Sequence, residues 1–498
     1  MERRERKMSE LVPDPRYWNA DMAPVPLANR RWGVRDMAVL WISMAACIPT
    51  YMLASSLISE GMNWWQAVLT IFLGNVVVLI PMVLNAHAGT KYGIPFPVYC
   101  RASFGLLGAN IPALLRAFVA CGWFGIQAWI GGTAVYTIAG VFVPEWQHLP
   151  KIAWLGINPA QLGCFLAFWA VNVFVIVRGI ESIRVLLNIK APLLIAFGLL
   201  LLGWAYHAAG GFGEMLGQPS FVQPSTKPDA TFWVAFAAGL TANISFWATL
   251  SLNIPDFSRY ARTQRDQALG QIVGLPTTMA LYAFIGVAVT SAAFVIYPNE
   301  DREELWKPIF LLNKFENKPV LIFSMLAICL ATLATNIAAN VVSPANDFAH
   351  LWPSRIGFRT GGVITAVIGV LIMPWKLLAD PSGYIFTWLL GISVLLGSVG
   401  GVLIADYIVI QRTRIDLAGL YRREGPYWYA NGFNPIAMIA LIAGIAPCVP
   451  GFLAKVDLIK VDGIWATIYT YAWFVSFGVS FVMYGVGMKL KGSSSSIE

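Results

Sequence analysis

The sequence predicts an all-α polytopic membrane protein, on three observations. Apolar runs of about 20 residues, the length that crosses a hydrocarbon core, recur along the whole 498-residue chain. Hydrophobic residues make up 57% and charged ones only 12%, with 20 tryptophans and a mean hydropathy of +0.64, which leaves no soluble domain of useful size. The segments between the runs are short and either charged or rich in Gly and Pro. Twelve transmembrane helices are expected, roughly at 36–59, 64–86, 106–140, 160–178, 186–209, 231–254, 272–297, 319–344, 359–378, 384–410, 434–454 and 462–488. The third is long enough to tilt strongly. The opening "MERRERK" is too charged for the apolar part of a signal peptide, and the first run lacks a small-residue cleavage site, so that span is expected to stay.

Basic residues orient the chain, because cytoplasmic loops accumulate Lys and Arg. With the N-terminus inside, the inside segments hold 23 of the 34 and the outside loops eight, four of these in "NEDREELWKPIFLLNKFENK". Both termini are therefore expected in the cytoplasm, in the cell membrane. The net charge of +8 then reports orientation and gives no reason to expect a nucleic-acid partner. Six cysteines (Cys47, Cys100, Cys121, Cys164, Cys329, Cys448) lie in or beside apolar runs without CxxC spacing and read as small buried hydrophobes. Four scattered histidines form no metal pair, and no nucleophile motif is present, so the sequence offers nothing for a membrane enzyme to use and no cofactor.

Polar groups inside hydrocarbon are costly, so those within the spans carry information. Pro49 in "WISMAACIPTYML" removes a donor and clashes with the preceding turn, which should break the first span near 45–49. The third span places Trp123 and Gln127 one turn apart on one face. The sixth, "GLTANISFWATLSLNIPDF", carries Gly239, Asn243 and Trp247 at four-residue spacing and is expected to unwind. The eighth, "LATLATNIAANVVSPAND", carries Thr335, Asn336 and Asn340. Each alone would serve as interhelical hydrogen-bond glue. Together they favour a binding site: the first and sixth spans hold corresponding positions in two five-span halves of opposite orientation, the pattern of an inverted-repeat carrier with its substrate at the midplane.

Five stretches then look familiar: "LNAHAGTKYGIPFPVYCRASFGLLGANIPALLRAF" (84–118), "CGWFGIQAWIGG" (121–132), "FWATLSLNIPDFSRYARTQ" (246–264), "TNIAANVVSPAND" (335–347) and "ADYIVIQRTRI" (405–415). Through them the chain resembles the nucleobase-cation-symport-1 family over essentially its whole length. The resemblance implies a five-plus-five inverted-repeat (LeuT-like) fold with broken helices 1 and 6 and two peripheral C-terminal helices. The layout would be a cytoplasmic segment 1–35, repeats at 36–209 and 231–410, a cytoplasmic loop 411–433, two final spans within 434–488 and a tail 489–498. It implies import of a nucleobase or ureide ring such as uracil or allantoin, with hydantoin, cytosine and purine bases as alternatives, by alternating access in a protein working as a monomer.

Residue by residue, the resemblance implies that Trp123 and Trp247 sandwich the ring while Gln127 and Asn340 bond its amide edges. A carboxamide has both a donor and an acceptor, which suits the alternating N–H and C=O of such rings without burying charge. Asn336 and Asn243 are further candidates: Asn336 to orient Asn340 or line the site, Asn243 as the residue one turn before Trp247. Cys47 is another, at a position where relatives recognising allantoin tend to carry an amide. In sodium-coupled relatives the cation sits between the broken first helix and the eighth, at positions matching Ser43, Ala46, Ala331, Ala334 and Thr335. Ala334 replaces one hydroxyl, so the coupling cation is left as Na+ or H+. For a proton, the acids Asp256, Asp347 and Asp406 all fall near cytoplasmic span ends rather than at the midplane. Arg116, seven residues before Trp123, reads as a cytoplasmic anchor or gate partner. A channel would need a continuous polar lining, which these few clustered groups do not supply. A receptor that senses the ring without moving it differs from a carrier only in net flux.

Overall fold

The computed structural model describes residues 14–178, 181–217, 232–379 and 383–495. The opening "MERRERK", the expected start of the second repeat at 231 and the last three residues of the tail lie outside the described residues. The elements are helices: α1 Val34–Ala45, α2 Ile48–Ser59, α3 Trp64–Tyr92, α4 Phe96–Phe104, α5 Asn110–Phe142, α6 Pro159–Arg178, α7 Glu181–Ala208, α8 Phe232–Asn253 and α9 Gln264–Ile296. They continue with α10 Lys318–Asn340, α11 Val342–Leu351, α12 Phe358–Leu371, α13 Leu390–Ile404, α14 Pro435–Ile445, α15 Val449–Lys455, α16 Gly463–Thr470 and α17 Ala472–Ser495.

Among the described residues nine helices are long and apolar enough to cross a membrane, and the bent pair α1–α2 makes a tenth. Two shorter apolar helices, Pro192–Ala208 and Phe358–Leu371, stand where the fifth and ninth spans were expected. Local sequence explains where helices start. In α3, Asn63 and Gln66 form a reciprocal capping box, each side chain accepting from the other's backbone N–H at 3.1 and 3.0 Å, and Gly93 closes the helix with φ +74°.

The first span breaks as Pro49 predicts. α1 and α2 meet at 57°, because Ala46 (ψ 84°) and Cys47 (φ −151°, ψ 162°) leave helical geometry and Pro49 sits in the first turn of the new helix. At that position its missing N–H costs nothing, since the first-turn donors of a helix have no intrahelical partner.

The sixth span corrects the expectation of a second break. α8 runs unbroken from Phe232 to Asn253, and the chain turns only afterwards, at Ile254–Pro255. Its polar residues found partners without unwinding. Asn243 donates to the Ile71 carbonyl (2.5 Å) and accepts from Asn75 (3.3 Å), both on α3. Ser245 donates back to the Thr241 carbonyl (2.7 Å) within its own helix. Gly74 brings α3 that close, for a Cβ there would overlap the Asn243 side chain.

Two groups of helices result. The α1–α2 pair, α3, α8 and α9 pack on one another, and α5, α6, α10–α11 and α12 form a second group. Each group draws two spans from each expected half of the chain. α7 leans on α9 and α10, while α13 packs on α8 and is backed by α14 and α17.

Candidate ring site between the two helix groups

A small buried cavity lies between the two groups. Its walls include Cys47 and Pro49 from the first-span break, Trp123 and Gln127 of α5, Phe246, Trp247 and Thr249 of α8, and Thr335 and Asn340 of α10. The structure thus brings together Trp123, Gln127, Trp247, Asn340 and Cys47, residues from four spans that were singled out separately in the sequence.

The lining carries polar atoms that the protein itself leaves unmatched. Gln127 Oε1, Thr249 Oγ1 and the Trp247 indole N–H are buried without a hydrogen-bond partner. A buried polar atom left unpaired costs about 1–3 kcal/mol, and three such atoms belong to residues around this one cavity. Asn340 is held rather than free: it donates to Asn336 Oδ1 (3.0 Å), and Asn336 in turn donates to the Phe124 carbonyl (3.2 Å) and to Asn172 Oδ1 (3.1 Å). This amide relay across α10, α5 and α6 leaves the Asn340 carbonyl oxygen as its remaining acceptor. Asn336 itself does not line the cavity but holds Asn340, which does.

Asn243 is the correction. It is fully buried between α8 and α3, both ends of its amide are engaged there, and it does not line the cavity. Four-residue spacing from Trp247 put it on a related face of α8, and the neighbouring helix took it.

The expected indole sandwich also differs in detail. Phe246 stands between the two tryptophans, edge-on to Trp123 (centroids 5.1 Å, 73°) and to Trp247 (5.0 Å, 79°). Trp41 and Trp388 back the indoles from behind, at 5.3 Å from Trp247 and 5.8 Å from Trp123. Trp388 reaches Trp123 because Gly122 beside it has no Cβ; one would strike the Trp388 ring. The cavity is about 30 Å³. Sequence reading missed Phe246, Thr249 and Trp388. The adjacency of Phe246 to Trp247 was its only sign.

At the proposed cation positions, Ala46 and Ala331 lie in one packed cluster with Leu194 and Tyr282, which joins the first-span break to α10. Thr335 donates its hydroxyl to the Ala331 carbonyl (2.8 Å). Ser43 is buried on α1, and Ala334, also buried, brings no oxygen.

Beyond the cavity residues a charge pair is buried. Arg116, seven residues before Trp123, pairs with Asp347, seven residues after Asn340, at 3.2 Å with both side chains fully buried. Along α5, Arg116 stands about 10 Å from Trp123 at 1.5 Å per residue. Asp256, past the end of α8, accepts from the Phe96 N–H (2.8 Å), and burial pushes its carboxyl above the ordinary range against the pull of Arg259. Asn253 and Ser343 hydrogen-bond across the same region.

Residues 24–476 match the family described as permease for cytosine/purines, uracil, thiamine and allantoin. The chain belongs to that permease family. It is 43% identical to a purine-uracil permease of Arabidopsis thaliana over 97% of this chain and 80% of the relative. It is 39% identical to an allantoin permease of Bacillus subtilis over 96% and 95% of the two chains. Among solved structures the permease resembles Mhp1 in its inward-facing conformation, with a TM-score of 0.77 at 24% identity over 97% and 96% of the chains. A closed conformation of Mhp1, described as a nucleobase-cation-symport-1 family transporter with bromovinylhydantoin bound, gives a TM-score of 0.76. The permease is thus a multi-pass membrane transporter of the nucleobase-cation-symport-1 family.

Proposed function

We propose that the permease imports a monocyclic nucleobase or ureide ring, uracil or allantoin first, by cation symport and alternating access. The observation that carries this is the set of unmatched polar atoms around the cavity between the helix groups: an amide acceptor (Gln127), an indole donor (Trp247) and a hydroxyl (Thr249) among aromatic walls. A pyrimidinedione or ureide presents N–H donors and C=O acceptors in one plane, the complement of that set, and its faces stack on indole. A site that hydrogen-bonds a substrate group also rejects analogues lacking it. The relatives' names, purine-uracil permease and allantoin permease, point to the same chemical class.

Rocking of one helix group against the other would open the cavity alternately to either face. The coupling cation sits at the first-span break against α10, held by neutral oxygens of Ala46, Ala331 and Thr335, a donor set suited to a hard ion such as Na+. In this reading the protein crosses the cell membrane twelve times as two inverted repeats plus two peripheral helices, with both termini cytoplasmic, and acts as a monomer.

Uptake into proteoliposomes tests it, with uracil, allantoin, hydantoin, cytosine and purines offered under an imposed Na+ or H+ gradient. Concentrative uptake of a monocyclic ring that Trp123→Ala abolishes in folded protein is the expected result. Unchanged uptake by that variant would overturn the site, and binding without net flux would make the protein a receptor.

A further inference from the structure

We infer that the hydroxyl of Tyr282 is a ligand of the co-transported cation and supplies the oxygen that Ala334 lacks. The inference rests on the cation position proposed above. Tyr282 projects from α9, is 3% exposed, and its hydroxyl has no hydrogen-bond partner. Buried tyrosine hydroxyls ordinarily find one. A second tyrosine at the same packing of α2 on α9 does so, for the Tyr51 hydroxyl lies 3.4 Å from Thr290 Oγ1.

The unmatched hydroxyl is also in a telling place. The Tyr282 side chain packs in one cluster with Ala46 at the break, Ala331 on α10 and Leu194 on α7. Its oxygen approaches α7, lying 3.8 Å from where a Cβ on Gly198 would stand. Three elements, the first-span break, α7 and α10, therefore meet at the Tyr282 side chain of α9. α1 ends at this break, and the negative pole of a helix dipole favours a cation there. On α10, Thr335 and Ala331 bring a hydroxyl and a carbonyl oxygen, bonded to each other. A phenol adds a neutral oxygen with lone pairs, which binds an alkali cation by ion–dipole attraction and needs no carboxylate.

The arrangement also accounts for the substitution at position 334. An oxygen removed from α10 is replaced by one that reaches in from α9, so the seat keeps its donor number while one donor moves to the other helix group. Because α9 belongs to the α1–α2 group, a cation bound to both Tyr282 and Thr335 would tie the two groups together, which couples cation binding to their relative position.

The experiment uses the full-length protein in proteoliposomes, with ring uptake measured against external Na+ at constant osmolarity. Tyr282→Phe keeps the ring and removes only the oxygen. It is expected to raise the half-saturating Na+ about tenfold or more, as losing a hydrogen-bonding group to a charge does, while uptake at saturating Na+ stays within about twofold. Ala334→Ser in the Tyr282→Phe background is expected to lower the half-saturating Na+ again, a rescue that a merely structural role would not show. The same Ala334→Ser in the wild-type chain, which leaves Tyr282 untouched, is expected to lower it as well and covers the case of a Tyr282→Phe protein that does not fold. Unchanged Na+ dependence in these variants overturns the assignment, as does wild-type uptake indifferent to Na+. In that last case ring uptake lost on Trp123→Ala still stands, so the ring site and the cation ligand fail separately.

Discussion

Two sets of buried amides lie in this permease and have opposite fates. Asn75 and Asn243 join α3 to α8, and Asn243 is matched at both ends of its amide. Gln127, Asn336 and Asn340 belong to the helix group that faces the cavity; there the relay through Asn336 holds Asn340, and Gln127 keeps its carbonyl oxygen unmatched. Both sets are the same chemistry at similar burial. Asn243 and Gln127 thus differ in whether neighbouring groups take both polar atoms of the amide.

Gly74→Leu should have the largest effect and should act on the structural set. Its Cβ alone would overlap Asn243, so overpacking of about 3 kcal/mol or more is expected, read as loss of monodisperse protein on size exclusion. Normal recovery would mean that the α3–α8 contact is looser than described.

Gln127→Ala should do the reverse. Uptake efficiency for the ring falls by about 10- to 100-fold, the worth of one or two hydrogen bonds to a buried ligand, while the melting temperature holds, because the removed oxygen had no protein partner. A drop in melting temperature would place Gln127 with the packing residues.

Asn243→Ala is expected to lower stability by about 1–3 kcal/mol, seen as a lower melting temperature, with KM for the ring unchanged. If KM rose while stability held, Asn243 would be a ligand after all. Asn336→Ala tests the relay: it frees Asn340 to turn, so KM should rise by roughly three- to tenfold with a smaller fall in kcat.

Pro49→Ala should be the mildest, within about 0.5 kcal/mol of stability, because the bend resides in the backbone of Ala46 and Cys47 and proline at a helix start removes no used donor.

Much of this was legible in sequence. The apolar runs located the nine long helices and the bent pair found among the described residues, since membrane thickness sets their length and each run carries that signal by itself. Pro49 located the first break for the same kind of reason: a missing N–H is a local fact. The cavity residues Trp123, Gln127, Trp247 and Asn340 were singled out because an aromatic or an amide in a hydrocarbon-facing run stands out, and because the ordered motifs around them were familiar.

What stayed hidden depended on neighbours. The sixth span carries Gly and Asn that read as a break, yet α3 matched Asn243 and the helix ran on. Phe246 between the indoles, Thr249 on the cavity wall and Trp388 against Gly122 are unremarkable in a row of apolar residues. Their roles arise from which side chains converge from distant spans. By itself the sequence determined the membrane class, the spans, the first break and the family, because hydropathy, proline chemistry and motifs act within one segment. Only the tertiary structure decided which polar atoms remain unmatched, at Gln127, Thr249 and Tyr282, because hydrogen bonds are satisfied between helices and no single span records its partner.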